Sequence, residues 1–351
     1  MTDSGMTAPI RTGIIGYGLG GSVFHGPLLA ADPAYRVDAI VTADPARMSA
    51  AAQKHPGARI LPTPAELWES AGQLDLVVIA SATPSHVALA EAAIQAGLNI
   101  VVDKPFAVTR RDGERLIASA ARAGVALTVF QNRRWDGDFL TVRRLVGEGA
   151  LGTVRRFESR FEWLSARPRP AWKTETPGRD GGGVAYDLGT HLVDQALTLF
   201  GPVRESYGEF ESRRPGAVND DDSFLALRHV SGVISHLWMS SLVAQRGPRF
   251  RVLGADAAFV TWGLDPQEGQ LASGMSAADP RFGEYGGAEG RLGTDDEPVP
   301  VPVARGAYPS FYAGLADALL HGGPLPVDPR ESLEAIAIIE SVHSGNAYLL
   351  P

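Results

Sequence analysis

The feature that most constrains this chain is a glycine-rich turn close to its beginning. Residues 10–15 read IRTGII, a short apolar run, and Gly16-Tyr17-Gly18-Leu19-Gly20-Gly21 follows at once. Gly16, Gly18 and Gly21 satisfy G-x-G-x-x-G between a predicted strand and a predicted helix, the context that gives this pattern its meaning. Gly16 permits a tight turn. Gly18, beside Leu19, lets the backbone approach a pyrophosphate, and Gly21 lets the helix pack close to the strand. The helix N-terminus then offers free N–H groups and positive dipole to phosphates. A glycine turn without a ligand is the plain alternative.

The following segments fit the same architecture. Residues 36–42 (RVDAIVT), 74–81 (LDLVVIAS), 98–103 (LNIVVD) and 125–130 (VALTVF) are short, rich in Val and Ile, and apolar throughout. Strands covered on both faces read this way. Between them, Ser85–Ala96 and Thr109–Ala123 read as helices, each stopped by a glycine. Strand–helix alternation implies βαβ units and a parallel sheet. The expectation is a doubly wound, Rossmann-type α/β domain over residues 1–130, with its ordered part from about residue 8.

After residue 130 the pattern changes. A helix is predicted over Asp136–Glu148. Strands are predicted over Thr153–Trp163, Val203–Glu211, Ser223–His229, Val233–Ser241, Phe250–Leu253 and Ala257–Trp262. Short turns such as Ser231-Gly232 suggest a mostly antiparallel sheet. Helices are predicted over Asp187–Phe200, Tyr308–His321 and Pro329–Tyr348, and the Gly- and Pro-dense residues 264–306 read as a long surface excursion. The second unit is expected to be an α+β domain over 131–351, with an open sheet.

Composition narrows the chemistry. The chain of 351 residues has 0 cysteines, which excludes disulfides, thiolate zinc sites, iron–sulfur clusters and a cysteine nucleophile. A net charge of −8 argues against nucleic-acid binding. The longest strongly apolar run, from Leu74 to Ala82, is too short to span a membrane, and the first residues contain no apolar signal core. A cytoplasmic protein is the expectation.

Enzymes of this type that prefer NAD place an acid at the end of the second strand. Here Thr42 occupies that place, and Asp44 reads as the cap of the next helix. Without the acid, a 2′-phosphate meets no repulsion, and Arg47 stands one turn further on. The reading therefore leans to NADP over NAD, with a solvated surface arginine as the plain alternative for Arg47.

Two more strand ends carry polar motifs where open sheets bind ligands. One reads Ala80-Ser81-Ala82-Thr83-Pro84-Ser85-His86, and the other Val102-Asp103-Lys104-Pro105. With these stand NRRWDGDFLTVRRL at 132–145, GGGVAYDLGTHLVDQALTLFG at 181–201 and PLPVDPRESLEAIAIIESV at 324–342. Taken together, the chain resembles the glucose–fructose oxidoreductase / inositol dehydrogenase (Gfo/Idh/MocA) family over essentially its whole length. The FH after the glycine turn and the NRRWDGDF block are similar to the subgroup that includes NADP-dependent scyllo-inositol dehydrogenases. Where the family usually has Glu-Lys-Pro, this chain has Asp103 before Lys104.

The resemblance implies a catalytic set of Lys104, Asp187 and His191. Asp187 and His191 stand at i and i+4, on one predicted helix face. Histidine is the natural base near neutral pH. In this scheme His191 is general base and acid, Lys104 holds the substrate oxygen and favours a neutral imidazole, and Asp187 orients substrate hydroxyls or the histidine. The cofactor carries the hydride, and no metal is needed.

Ser81, Thr83, His86, Asp103, Lys104 and Asn132 are the further candidates for cofactor contact. Arg134, Trp163 and Trp172 join Lys104, Asp187 and His191 as candidates for substrate contact. Plain alternatives stand beside them: His86 and His25 as structural residues, Arg133 and Arg134 in salt bridges, Trp163 and Trp172 as packed loop tryptophans. Asn219-Asp220-Asp221-Asp222 looks like a metal cluster at first sight but reads better as an acidic turn.

The expected activity is NAD(P)-dependent hydride transfer between nicotinamide and a secondary alcohol of a polyol, cyclitol or sugar. Two other readings remain open: a glycoside hydrolase that retains NAD, and a catalytically silent NADP-binding regulator. The resemblance also implies a homo-oligomer, dimer or tetramer, formed through the second sheet.

Overall fold

A computed structural model describes residues 8–165, 175–345 and 348–350. The first sheet contains β1 (Ile10–Ile15), β2 (Tyr35–Val41), β3 (Arg59–Leu61), β4 (Leu76–Ile79), β5 (Asn99–Asp103) and β6 (Leu127–Phe130). Its order is β3-β2-β1-β4-β5-β6, with every pair parallel. All four residues of β4 are buried, which is why this strand shows no alternation in sequence. β3 was not foreseen: three half-exposed residues at a sheet edge carry too little pattern. The strand order reverses between β1 and β4, so a crevice opens beyond their carboxyl ends. The glycine turn and Ser81 leave the sheet there.

The second sheet contains β7 (Arg156–Glu162), β8 (Val203–Glu211), β9 (Asp222–His229), β10 (Ile234–Ser240), β11 (Phe250–Leu253), β12 (Ala258–Thr261), β13 (Glu289–Gly293) and β14 (Pro298–Pro302). Its order is β14-β13-β12-β11-β7-β10-β9-β8. β7 and β10 run parallel, and the other pairs are antiparallel. Phe157, Phe161, Leu225, Leu237 and Met239 form one core with Leu192, Val193, Ile338 and Ile339 from the helices Thr190–Phe200 and Pro329–His343.

Three expectations need correction. Residues 264–306 are not only a surface excursion. They hold the helix Gln267–Ala272 and the hairpin β13–β14, and Leu271 and Phe282 are buried in the core of the first sheet. The prolines of β14 hid this strand in the sequence, yet they are tolerated because β14 pairs only with β13 at the sheet edge. The helix expected at Asp187 starts as a π-helical turn, Ala185–Gly189, and becomes α-helical at Thr190. The last helix stops at His343, before Gly345 with φ 71°.

The chain also returns to its beginning. Tyr308, Phe311, Tyr312 and Leu315, in or beside the helix Pro309–His321, are buried in the core of the first sheet. Phe311 meets Phe130 edge-on, with ring centroids 4.9 Å apart. The Tyr35 hydroxyl donates to the Tyr312 carbonyl at 2.7 Å. Among the described residues, no helix is long and apolar enough to cross a membrane.

Candidate active site

The glycine turn fits a dinucleotide on its own geometry. Gly16 has φ 96°, and a Cβ there would lie 2.5 Å from the Ala80 carbonyl oxygen, so only glycine closes the turn against β4. A Cβ on Gly21 would overlap the Gly16 carbonyl. Leu19 projects into solvent, 55% exposed, at the place where a cofactor would cover it. The next residues, Gly20–His25, form a π-helical turn that leads into the helix Gly26–Ala31.

Thr42, buried, follows β2 and donates its N–H to Leu61 at 2.9 Å. Asp44 caps the helix Pro45–Lys54 by accepting from the Arg47 N–H at 2.8 Å. That cap brings the Arg47 guanidinium over the glycine turn, 3.7 Å from where a Gly18 Cβ would stand.

At the end of β5, Asp103 Oδ1 accepts from the Lys104 N–H at 2.9 Å, and the Lys104–Pro105 peptide is cis. Lys104 Nζ reaches the turn Ala185–Gly189, where it donates to the Asp187 carbonyl at 2.5 Å and to Asp187 Oδ1 at 3.1 Å. His86 lies behind this strand end. Its Nδ1 is 2.8 Å from the Pro105 carbonyl and its Nε2 is 3.0 Å from the Ser81 carbonyl, so it braces one motif against the other. Ser81 Oγ pairs with Ser85 Oγ at 2.7 Å. Thr83 is half-buried, and its side chain packs near Gly181 of the loop that leads to Asp187.

His191 is 5% exposed, and its Nδ1 is buried without a hydrogen-bond partner among the described residues. Burial depresses its pKa well below the usual histidine value, and the charges of Lys104 and Arg133 depress it further. The imidazole is therefore neutral near pH 7, as a proton acceptor must be. Phe161 stands edge-on to this ring at 6.4 Å. The guanidinium groups of Arg133 and Arg249 lie 4.8 and 4.0 Å from the Phe161 centroid. Arg133 is held by Glu268 at 2.8 Å and by Asp136 at 3.4 Å. Lys104, Arg133 and Arg249 thus surround His191 with cations, each paired with an acid: Lys104 with Asp187, Arg133 with Asp136 and Glu268, and Arg249 with Asp138.

Other candidates have different occupations. Arg134 carried two readings, substrate contact or a salt bridge, and it forms a two-pronged buried bond to Asp194, at 2.7 and 2.6 Å, and a further one to Glu331 at 2.5 Å. Its three donor nitrogens tie the helices Thr190–Phe200 and Pro329–His343 to the turn Asn132–Trp135. Asn132 is buried in that turn. Trp163 packs partly buried against the second core, its backbone N–H donating to the Ser240 carbonyl at 3.0 Å. His25 is fully buried, with Nδ1 2.7 Å from the Tyr312 hydroxyl and Nε2 3.8 Å from Asp103 Oδ2. In the acidic run 219–222, Asp221 accepts from the Arg213 and Arg214 N–H groups, and Asp222 lies 3.4 Å from Arg213. Trp172 lies outside the described residues, as do Arg167 and Lys173. Asp194 and Glu331 lie within the quoted blocks 181–201 and 324–342 but were not singled out, and Arg249 lies in none; their partners are distant in the chain, and no motif spacing links them.

Comparison with known proteins gives two family matches. Residues 10–131 match the oxidoreductase family with NAD-binding Rossmann fold, and residues 139–260 match the GFO/IDH/MocA C-terminal domain. The oxidoreductase YdgJ of Escherichia coli K12 is 37% identical over 95% of this chain and 96% of its own length. The NADP(+) scyllo-inositol 2-dehydrogenase IolW of Bacillus subtilis is 33% identical, covering 95% of this chain and 92% of that protein. The solved structure of the oxidoreductase yvaA from Bacillus subtilis superposes with a TM-score of 0.90 at 30% identity, covering 98% of this chain and 99% of that one.

Proposed function

This chain belongs to the Gfo/Idh/MocA family of NAD(P)-binding oxidoreductases, and from that premise we propose that it interconverts a secondary alcohol of a polyol, cyclitol or sugar with the corresponding ketone or lactone. The observation that carries this reading is the Lys104–Asp187 contact at 3.1 Å, made next to a histidine kept neutral by its surroundings.

A dinucleotide held at the turn of Gly16, Gly18 and Gly21 would supply the hydride chemistry. His191 takes the proton of the substrate hydroxyl in oxidation and returns it in reduction. Lys104 donates a hydrogen bond to the same oxygen and stabilises the negative charge that develops there. Asp187 holds the Lys104 ammonium in place and offers its carboxylate to neighbouring hydroxyls. Polar, hydroxyl-rich substrates suit a pocket bordered by Lys104, Arg133, Asn132 and Asp187. The similarity to a scyllo-inositol dehydrogenase points the same way.

NADP is the preferred cofactor in this reading. Thr42 presents no charge to a 2′-phosphate, and the Arg47 guanidinium stands over the glycine turn. Asp103, Ser81 and Thr83 border the same crevice. Association of identical chains through the open face of the second sheet belongs to the same reading. Phe224 and Trp238 lie there with ring centroids 5.3 Å apart, and the Arg160 guanidinium stacks 3.9 Å over Trp238.

The test is a cofactor-coupled absorbance screen over the inositols and common aldoses, run with NADP and NAD in both directions. Turnover of a polyol or sugar that is lost in His191→Ala is the expected result. No turnover on any of them, with NADPH still bound, would overturn the substrate class.

A further inference from the structure

The turn that carries Asp187 and leads into His191 is fastened at its first residues by a carboxylate from elsewhere in the chain. Ala185, the first residue of the π-helical turn, donates its N–H to Asp220 Oδ2 at 2.7 Å. Val184, just before it, donates to the Asp220 carbonyl at 3.0 Å. Ser223 Oγ donates to the same Oδ2 at 2.7 Å. Asp220 is only 3% exposed and lies in the connection between β8 and β9. The fit is tight: Gly183 has φ 93°, and a Cβ there would overlap Asp220 Oδ1.

His343, the last residue of the final helix, approaches from the other side, with Nε2 4.0 Å from Asp220 Oδ1. Neither of these two buried atoms has a hydrogen-bond partner among the described residues. The His343 ring stacks on Tyr186 at 5.2 Å with an interplanar angle of 8°, and leans on Phe210 at 4.7 Å. Tyr186 directly precedes Asp187 and donates its hydroxyl to the Val108 carbonyl at 2.9 Å. The pair therefore grips the turn twice, by the backbone at Ala185 and by the ring at Tyr186.

The first N–H groups of a helical turn have no partner within it and need an acceptor. A carboxylate there also complements the positive end of the turn. We propose that Asp220, braced by His343, is a positioning residue: it sets the start of the catalytic turn so that Asp187 and His191 face Lys104. This rests on the catalytic reading of those three residues given above. Asp220 itself does not touch the reacting atoms.

The experiment compares full-length Asp220→Ala, Asp220→Asn and His343→Phe with the parent. Asp221→Ala serves as a control in the same loop, and His191→Ala as a control for the site. Each protein is measured for kcat and KM on the best alcohol from the screen, for NADPH affinity by fluorescence titration, and for the His191 ring signals by NMR without ligands. Misplacing catalytic groups by about an ångström costs on the order of 100-fold in rate. Asp220→Ala should accordingly lose roughly 10- to 100-fold in kcat and shift the His191 signals, with NADPH affinity within about threefold. Asp220→Asn, which keeps an acceptor for Ala185, should recover most of kcat. His343→Phe, which keeps the ring stack, should lose a few-fold and move the His191 signals.

Parent-like kcat and unmoved His191 signals in Asp220→Ala would overturn the proposal. So would an Asn variant as poor as the Ala variant, or an equal loss in Asp221→Ala. If Asp220→Ala does not fold, His343→Phe decides, and unmoved His191 signals with parent-like kcat in that variant count against it. Normal turnover in His191→Ala sinks the reading of the site itself, whereas a dead His191→Ala beside an active Asp220→Ala sinks only this inference.

Discussion

Lys104 and Asp187 stand 83 residues apart in sequence and meet at 3.1 Å, joining the end of β5 to the turn Ala185–Gly189. Lys104 also reaches the Asp187 carbonyl, so one ammonium fastens the end of β5 to both the backbone and the side chain of Asp187 in the turn Ala185–Gly189. Each of the two side chains keeps some exposure, 15% and 23%, which leaves the pair open to a small ligand.

Lys104→Met should remove the hydrogen-bond donor and the charge while keeping the bulk of the chain. We expect kcat to fall by about 10²- to 10⁴-fold, with NADPH affinity changed far less. Steady-state kinetics beside fluorescence titration of NADPH separates these effects. A variant with most of its turnover would take Lys104 out of the mechanism.

His191 makes a pH prediction with a definite sign. Its folded-state pKa lies well below the ordinary 6.5, owing first to burial and then to Lys104 and Arg133. Between the lowered value and 6.5 the unfolded chain binds more protons than the folded one. Its stabilising contribution is therefore complete above 6.5 and is lost as pH falls toward the folded value. Thermal unfolding from about pH 8 down to about pH 5 should show Tm decreasing on the acid side, and His191→Asn should flatten the decrease. His86, His55 and His229 shift in the same direction, so the slope is reduced and not abolished. An unchanged slope in His191→Asn would contradict the buried neutral state.

Cofactor choice should respond to Arg47 and Thr42. Arg47→Ala removes the guanidinium that stands over Gly18 and should weaken NADPH by roughly 10-fold, with little effect on NADH. Thr42→Asp places an acid at the end of β2 and should move the preference toward NADH. Dissociation constants for both cofactors, measured on both variants, check this. Tighter NADH than NADPH binding in the parent would reverse the assignment.

Arg134 should behave as a structural residue. Its side chain is 10% exposed and that of Asp194 2%. Arg134→Ala leaves a buried carboxylate unpaired, a change that costs about 3–5 kcal/mol. Arg134→Lys keeps the charge without the two-pronged geometry and should recover only part of it. Denaturant unfolding gives these values. A change in KM without loss of stability would restore Arg134 to the substrate site.

Much of this was legible in the residues. The apolar runs of β1, β2, β4, β5 and β6 declare a parallel sheet because both faces are covered. The glycine turn declares a dinucleotide crevice because a side chain at Gly16 or Gly21 meets backbone. Asp44 reads as the cap that it is, whereas the single α-helical face expected for Asp187 and His191 is interrupted by the π-helical turn that holds Asp187. What failed was local as well. β3 is too short to show a period, and the prolines of β14 disguised an edge strand.

The sequence by itself therefore determined the fold class and the glycine-turn crevice, since each depends on short-range pattern or on steric limits within a few residues. Tertiary structure decided the partners. Only folding brings Asp194 and Glu331 to Arg134, Asp220 to Ala185, Lys104 to Asp187, and Tyr312 back to His25. These contacts join residues far apart in the chain through long-range packing. The electrostatics of the site follow from them, because the state of His191 depends on burial and on charges supplied by other elements.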